Sequence, residues 1–277
     1  MPELPEVETV RRTLNQLVAG KTIADVVVSL PRLIKEPGDT MEFITLLRGQ
    51  TIQEIGRRGK FLLFYLDEFV LVSHLRMEGK YGLYDREDEV EKHTHVIFRF
   101  TDGSELRYKD VRTFGTMHLF SRGQEMAGPP LHKLGPEPLD AAFSAEVLRE
   151  RLLRRRSKIK PLLLNQEIVV GLGNIYVDEA LFEAGIHPEK LPGELTEEQW
   201  QKLYQAIVDI LQQSISLGGS SIKSYVNGQG EAGNFQHTTL HAYGRTGEPC
   251  VRCGAPIERS VVGGRGTHTC PNCQPRK

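Results

Sequence analysis

The sequence predicts an α+β protein: an N-terminal β-sandwich led by a helix, then a small helical region, then a C-terminal hairpin stapled through cysteines. Three observations carry that expectation. Up to about residue 135 the chain is a series of short runs rich in Val, Ile, Phe and Tyr, at 26–28, 61–66, 69–73, 95–100 and 117–120, separated by turn residues. Beyond that point the apolar residues recur with helical period. All four cysteines lie at or after residue 250, in two pairs.

Each element has its own local signal. Val7, Val10, Leu14, Leu17 and Val18 share one face of a helix that Pro5 can open, and Glu6 and Glu8 match the positive end of its dipole. Asp102-Gly103, between the run ending at Phe100 and the one through Leu106 and Tyr108, predicts a two-residue hairpin. The Pro/Gly-rich stretch from Gly128 to Pro138 reads as a connector. Ser144 can cap a helix from Ala145 to Arg156. Thr196 with Gln199 forms a capping box for a helix running to about Leu217, where Gly218-Gly219 stops it. From Gly218 to about Phe235 the Gly, Ser, Asn and Gln residues show no period and read as a loop. The expected division is a sandwich domain at 1–134, a helical domain at 135–235 with that loop at about 218–235, and a finger at 236–277.

Composition narrows the classes. A chain of 277 residues is too long for one comfortable core and suits two; 39% hydrophobic and 26% charged residues exclude disorder and fibre. No apolar run approaches the ~20 residues needed to cross a bilayer, and the chain opens with Glu3, Glu6 and Glu8 instead of a basic and then apolar signal. A soluble, unexported protein with no membrane partner is therefore expected. A net charge of −1 alone argues against a nucleic-acid partner, but the charge is segregated. Arg149, Arg151, Arg154, Arg155, Arg156, Lys158 and Lys160 face Glu150 alone in their stretch. Arg245, Arg252, Arg259, Arg265, Arg276 and Lys277 outnumber Glu248 and Glu258 near the end. With Arg107-Tyr108-Lys109 through Arg112-Thr113-Phe114, which interleaves cations and aromatics at an expected loop, these clusters point to a polyanion.

Cys250-Val251-Arg252-Cys253 and Cys270-Pro271-Asn272-Cys273 have the paired C-x2-C spacing of a tetrahedral four-cysteine zinc site. Two disulfides are the alternative, and an unexported chain in a reducing compartment favours thiolates and metal. Four sulfurs leave no open position for water, so one zinc ion would be structural. What it would hold up is the tip Gly263-Gly264-Arg265-Gly266, with Arg265 as the charged projection suited to phosphate.

Pro2 is the second unusual feature. The helix start accounts for Glu6 and Glu8 but does not require Pro2. Methionine before a small residue is normally removed, which would leave a secondary amine on a rigid ring, partly unprotonated near neutral pH. Such an amine condensing at an aldehyde-level carbon gives a cationic iminium, an electron sink that drives elimination without a cofactor.

Pro2-Glu3-Leu4-Pro5-Glu6, Gly59-Lys60 before a strand, His74-Leu75-Arg76-Met77-Glu78-Gly79, Gly171-Leu172-Gly173-Asn174-Ile175-Tyr176 and the four-cysteine finger together resemble the family of formamidopyrimidine-DNA glycosylases, which also includes endonuclease VIII. The likeness runs nearly end to end, and Leu4 favours the formamidopyrimidine branch. It implies a β-sandwich, a helix-two-turn-helix domain and a zinc finger. The implied activity is base-excision repair by a bifunctional glycosylase and abasic-site lyase, acting as a monomer on duplex DNA with oxidised purines or abasic sites, in the bacterial cytoplasm at the nucleoid.

The same resemblance implies residue roles. Pro2 is similar to the Schiff-base nucleophile, Glu3 to the acid that assists opening of the deoxyribose ring, and Glu6 to the carboxylate that organises the N-terminus. Lys60 resembles the hairpin lysine that meets phosphate and lesion. Asn174 and Arg265 resemble a phosphate-gripping pair, to which His74 and Tyr243 add contacts, and Gly171 and Gly173 offer bare backbone N–H groups. Met77, Arg112 and Phe114 match a trio that fills the hole left by an extruded base. Glu78, Ser220, Ile222, Lys223, Ser224 and Tyr225 are the implied lesion contacts. Asn165, where an acid is the commoner residue, departs from the pattern. Two other readings are a zinc-ribbon binding module without chemistry and the sister activity on oxidised pyrimidines. His93 and His95 read as ordinary strand surface.

Overall fold

Helix α1, Leu4–Val18, is opened by a reciprocal cap in which the Glu3 backbone N–H donates to Glu6 Oε2 (2.8 Å) while the Glu3 side chain takes the N–H of Glu6. Pro5 sits in its first turn, where its missing N–H costs nothing. The computed structural model describes residues 2–219 and 240–276, and among these 2–132 form one compact unit and 133–219 with 240–276 another.

In the first unit α1 is followed by β1 Ile23–Val28, β2 Ile34–Glu36, α2 Thr40–Leu47, β3 Glu54–Arg58, β4 Phe61–Tyr65, β5 Phe69–His74, β6 Lys80–Asp85, β7 Thr94–Phe100, β8 Ser104–Lys109 and β9 Thr116–Ser121. Two sheets result, ordered β1-β7-β8-β6 and β2-β9-β5-β4-β3. They share one core with the apolar stripe of α1: Val7, Val10, Leu14 and Val18 join Phe43, Phe64, Leu71, Phe98, Leu106 and Met117. β4 and β5 read as unbroken apolar runs because both of their faces are covered.

Two expectations about this unit are corrected. The β7–β8 connection has three residues, Thr101 to Gly103, because Gly103 takes φ +90° and Asp102 accepts from the Ser104 N–H (3.0 Å), a bulged turn in place of a two-residue one. Arg107 and Tyr108 are not in a loop. They belong to β8, 2% and 1% exposed, and Arg107 pairs with Glu105 at 2.9 Å, so the exposed part of that motif is confined to residues 111–114.

The second unit contains α3 Ala145–Leu152, α4 Ile159–Leu163, α5 Asn174–Glu183, α6 Glu197–Ser216, and the antiparallel pair β10 Glu258–Val262 and β11 Arg265–Thr269. Ser144 caps α3 through its hydroxyl (3.3 Å to Val147 N), and Thr196 and Gln199 exchange bonds of 3.1 and 3.2 Å at the start of α6. α3 ends four residues before Arg156. Its buried stripe is Ala145, Leu148 and Leu152, and the next turn offers Arg155 and Arg156 where an apolar residue is needed. At the end of α6, Gly219 N–H reaches back to the Ser214 carbonyl (2.6 Å) with Gly218 at φ +76°. α5 packs against α4, α6 and β11, which makes it the centre of the unit. The expected architecture holds: a two-sheet sandwich with its leading helix, a helical region and a four-cysteine finger. No helix among the described residues is long and apolar enough to cross a membrane.

Candidate nucleic-acid interface and metal centre

In the first unit the cap of α1 places Glu3 and Glu6 in the interior, each 2% exposed, and leaves Pro2 half-buried ahead of them. β3 packs on α1, and the turn after it carries Gly59 at φ +56° and then Lys60, 7% exposed. Two carboxylates and an ammonium buried in the same unit are costly groups to keep inside, which makes the region a candidate for chemistry.

His74 closes β5. Burial, aided by Arg76 and Lys60, pushes its imidazole down to about 3, so it is neutral at physiological pH. Its Nδ1 accepts from the Arg76 N–H (2.9 Å), which puts the ring proton on Nε2 as a donor. Met77, Glu78, Arg112 and Phe114 lie exposed on two loops, residues 75–79 and 110–115. The Arg112 guanidinium stands over the Phe114 ring at 5.0 Å. Beside Phe114 is an open cavity of about 280 Å³ lined by Arg32, Lys35, Thr113 and Thr116, with Arg32 donating to the Thr113 hydroxyl.

In the second unit Arg265 projects into solvent at the start of β11, directly after the Gly263-Gly264 turn. Gly263 has φ +57°, and a Cβ there would come within 2.6 Å of Pro161, so only glycine lets the hairpin tip close on α4. The Gly266 carbonyl accepts from Lys160 Nζ (3.0 Å) and Asn174 Nδ2 (2.8 Å). Asn174, the first residue of α5, is thus partly committed to holding the finger. Gly171 N–H is taken by Gln166 Oε1 (2.9 Å), so the turn offers less bare backbone than its two glycines suggest. Tyr243 is half-buried, its N–H on Glu179 Oε1 (2.7 Å) and its ring centroid 5.1 Å from that of His268 in an edge-on arrangement. Burial raises the Glu179 carboxyl, opposed by the backbone N–H groups of His241, Ala242 and Tyr243, which favour its charged form.

The cysteine sulfurs all lie within 4.8 Å of one another, with Cys250–Cys273 at 3.8 Å and Cys253–Cys270 at 3.4 Å. A tetrahedral zinc thiolate with ~2.3 Å bonds has sulfur–sulfur edges of about 3.8 Å. The Arg252 and Cys273 N–H groups each bond a sulfur at 3.4 Å, as zinc knuckles do. The four residues fit one structural zinc ion. Among the described residues no third His, Cys, Asp or Glu side chain converges with His93 and His95.

Residues 1–117 match the family model described as formamidopyrimidine-DNA glycosylase N-terminal domain, 134–226 its H2TH domain, and 247–276 the zinc finger found in FPG and IleRS. The chain belongs to the formamidopyrimidine-DNA glycosylase family. The formamidopyrimidine-DNA glycosylase of Brevibacillus brevis is 64% identical over 274 residues, 99% of each chain. A complex of a single-substitution variant of the Lactococcus lactis protein with Fapy-dG-containing DNA superposes with a TM-score of 0.92 at 46% identity, covering 99% of this chain and 100% of that one. A complex of the Lactococcus lactis protein with abasic-site DNA gives 0.91 at 47%, with the same coverage.

For a formamidopyrimidine-DNA glycosylase the expected residues fall into two groups. Pro2, Glu3, Glu6, Lys60, His74, Met77, Glu78, Arg112 and Phe114 belong to the sandwich, whereas Asn174, Tyr243, Arg265 and the cysteines belong to the helix and finger unit. Ser220, Ile222, Lys223, Ser224 and Tyr225 lie outside the described residues, as does most of the expected loop at 218–235. Sequence reasoning missed Asp110 and Tyr108 under the 110–115 loop, and Lys160, Asp178 and Glu179, which bind the finger to α4 and α5. Asp178 and Glu179, acids on an otherwise apolar helix, were a readable signal for the last two.

Proposed function

We propose that this chain excises 8-oxoguanine and formamidopyrimidines from duplex DNA and then cuts the strand by β,δ-elimination, as a monomer in the bacterial cytoplasm at the nucleoid. A functional division at 1–134, 135–235 and 236–277 accompanies that reading: catalysis in the sandwich, lesion recognition in the loop of the helical domain, DNA grip in the finger. Support for the substrate comes from the relatives complexed with Fapy-dG and abasic DNA.

The observation that carries the chemistry is Pro2 at the mouth of α1 with Glu3 buried behind it in a closed cap. After removal of Met1, the Pro2 nitrogen lone pair attacks C1′ of the extruded nucleotide, and the glycosidic bond breaks with its electron pair on the base. Glu3 delivers a proton to the ring oxygen as the sugar opens, and loss of the amine proton leaves an iminium at C1′. The iminium acidifies the C2′ hydrogens, so the 3′-phosphate leaves by β-elimination and the 5′-phosphate by δ-elimination; water then returns Pro2 and the sugar remnant. Glu6 holds the Glu3 N–H and so keeps Pro2 aimed. Lys60, His74, Asn174, Tyr243 and Arg265 take phosphates, Met77, Arg112 and Phe114 fill the vacated stack, and Glu78 with Ser220, Ile222, Lys223, Ser224 and Tyr225 meets the lesion. Cys250, Cys253, Cys270 and Cys273 hold the zinc, which supplies the rigidity of the hairpin and no reacting group.

Borohydride reduction during turnover on 8-oxoguanine duplex tests the reading. Peptide mass spectrometry is expected to find the sugar remnant on Pro2 in a chain lacking Met1. A cross-link on Lys60 in the wild-type protein, or none at all, overturns it.

A further inference from the structure

Tyr108 in β8 is 1% exposed, and its hydroxyl stands between two loops that are distant in sequence. A Cβ added at Gly79 would lie 2.4 Å from that oxygen, and one at Gly115 only 1.8 Å from it. Real Cβ atoms essentially never approach so closely, so both backbones press on the same hydroxyl because both residues are glycine. Gly79 closes the first loop through its N–H to the Leu75 carbonyl (2.9 Å), and Gly115 closes the second.

From the hydroxyl a buried polar chain runs into the second loop. Tyr108 donates to Asp110 Oδ2 (3.3 Å), which also accepts from Gly115 N (2.8 Å), while Oδ1 accepts from Arg112 N (3.1 Å). The Asp110 carbonyl accepts from Thr113 N (3.3 Å) and from His95 Nε2 (2.9 Å). Burial raises the Tyr108 phenol well above its ordinary value, with Tyr81 and Asp110 adding to it, so the donor stays protonated.

Each loop then repeats one backbone device. Arg76 has φ +54° and Thr113 φ +56°, and the exposed apolar residue follows at once, Met77 in one loop and Phe114 in the other. Residues with a Cβ hold that conformation only where the surroundings over-determine it. Here the shared determinant is the hydroxyl that both loops touch.

We propose that Tyr108 is a positioning residue that couples the two loops, so that Met77 and Phe114 are presented to the DNA stack as one preorganised unit. This rests on the reading of those two side chains as the wedge. The coupling passes through Gly79 on one side and through Asp110 and Gly115 on the other.

The test is single-turnover excision of 8-oxoguanine with 2-aminopurine beside the lesion to report unstacking. Tyr108→Phe keeps the ring and removes the hydroxyl. It is expected to slow unstacking and excision by roughly fivefold, the rate equivalent of one lost hydrogen bond. Strand cleavage at a preformed abasic site, where no base has to leave the stack, is expected within about twofold of wild type, less than the effect of one lost hydrogen bond. Asp110→Asn, which leaves one acceptor oxygen where Asp110 uses two, for Tyr108 and Gly115 on one and Arg112 on the other, is expected to behave alike and serves if Tyr108→Phe does not fold. In a Met77→Ala/Phe114→Ala background Tyr108→Phe should cost nothing further, because it acts through those two side chains.

Wild-type excision by both variants, equal loss at preformed abasic sites, or full additivity with the double alanine variant each overturns the coupling. If Met77→Ala/Phe114→Ala itself excises normally, the wedge reading falls first and the coupling with it, a result distinguishable from the others.

Discussion

Lys160 and Asp178 form an ion pair with both side chains fully buried, Nζ to Oδ1 at 2.5 Å. The pair is a junction. Lys160 also donates to the Gly266 carbonyl, and Asp178 Oδ2 accepts from His268 N at 3.0 Å, so both partners hold strand β11 from α4 and α5. Gly266 follows Arg265, and the pair therefore sets the base from which that guanidinium projects.

Breaking a buried pair by removing one partner leaves the other charge uncompensated, at a cost of ~3–5 kcal/mol. Lys160→Met is expected to lower the midpoint of urea unfolding of the second unit and to speed zinc release to a chelator. Lys160→Met/Asp178→Leu, which removes both charges, is expected to recover much of the stability but not the zinc retention, since His268 loses its acceptor. Wild-type unfolding of Lys160→Met excludes a structural role for the pair.

Chelation should separate the units. The zinc ligands all lie between 250 and 273, and the cluster packs with Phe182, Ala242 and Ile257 of the second unit. Because binding free energy at such a site is folding free energy, a stripped protein is expected to lose duplex binding while the sandwich keeps its β circular dichroism and its own unfolding transition. Metal analysis should give one zinc per chain. Unchanged duplex affinity after complete zinc removal would remove the finger from DNA binding.

Much of this was readable because the signals are local. Cysteine spacing, the Ser144 and Thr196 caps, the strand runs and the Pro2-Glu3 start each depend on a few neighbouring residues. What was not readable depends on partners far away in sequence. Lys160 counts as the last cation of a basic run, yet a carboxylate 18 residues on takes it inside. Arg252 likewise looks like DNA-facing charge, but it caps α5, donating to the Phe182 and Glu183 carbonyls (3.0 and 3.3 Å) and pairing with the Glu183 carboxylate. Arg245 and Arg276 pair with Glu248 and Glu189. Arg259 and Arg265 stay exposed, so the charge count overstated the footprint while the glycine turn picked out its projecting residue. Tyr108 and Asp110 were hidden because two glycines, which carry no chemical label, create the space they occupy.

His74 gives the fold a defined acid sensitivity. Its folded-state value is about 3 against an ordinary 6.5, so the unfolded chain binds a proton that the fold refuses. Stability from this group is fully present above pH 6.5 and is lost as pH falls from there toward 3, at up to about 1.4 kcal/mol per pH unit. His118, pushed by burial down to about 4, adds the same sign over a narrower window. His74→Asn is expected to flatten the dependence of sandwich stability on pH between 6.5 and 4, leaving the part due to His118. Denaturant titrations at half-unit pH steps check it, and a slope equal to wild type would mean that His74 is protonated in the fold.

Arg265 and Arg112 are two exposed guanidiniums in different surroundings. Arg265 stands at the end of a glycine turn, stacked on no ring among the described residues, whereas Arg112 lies over Phe114 on a loop pinned through Asp110. A phosphate contact carries no base information and obeys counterion release, so losing one lowers the salt slope of binding by about 0.9. Arg265→Ala is therefore expected to weaken binding to damaged and undamaged duplex alike with a shallower salt dependence. On the proposed reading that Arg112 fills the space opposite an extruded base, Arg112→Ala is expected to slow excision and relax discrimination among the four opposite bases, with a smaller effect on undamaged duplex. Salt titrations of both variants, paired with single-turnover excision opposite each base, decide the matter. If Arg265→Ala shifts opposite-base preference while Arg112→Ala changes only the salt slope, the two arginines have exchanged roles and the wedge has to be sought on the finger instead of the sandwich.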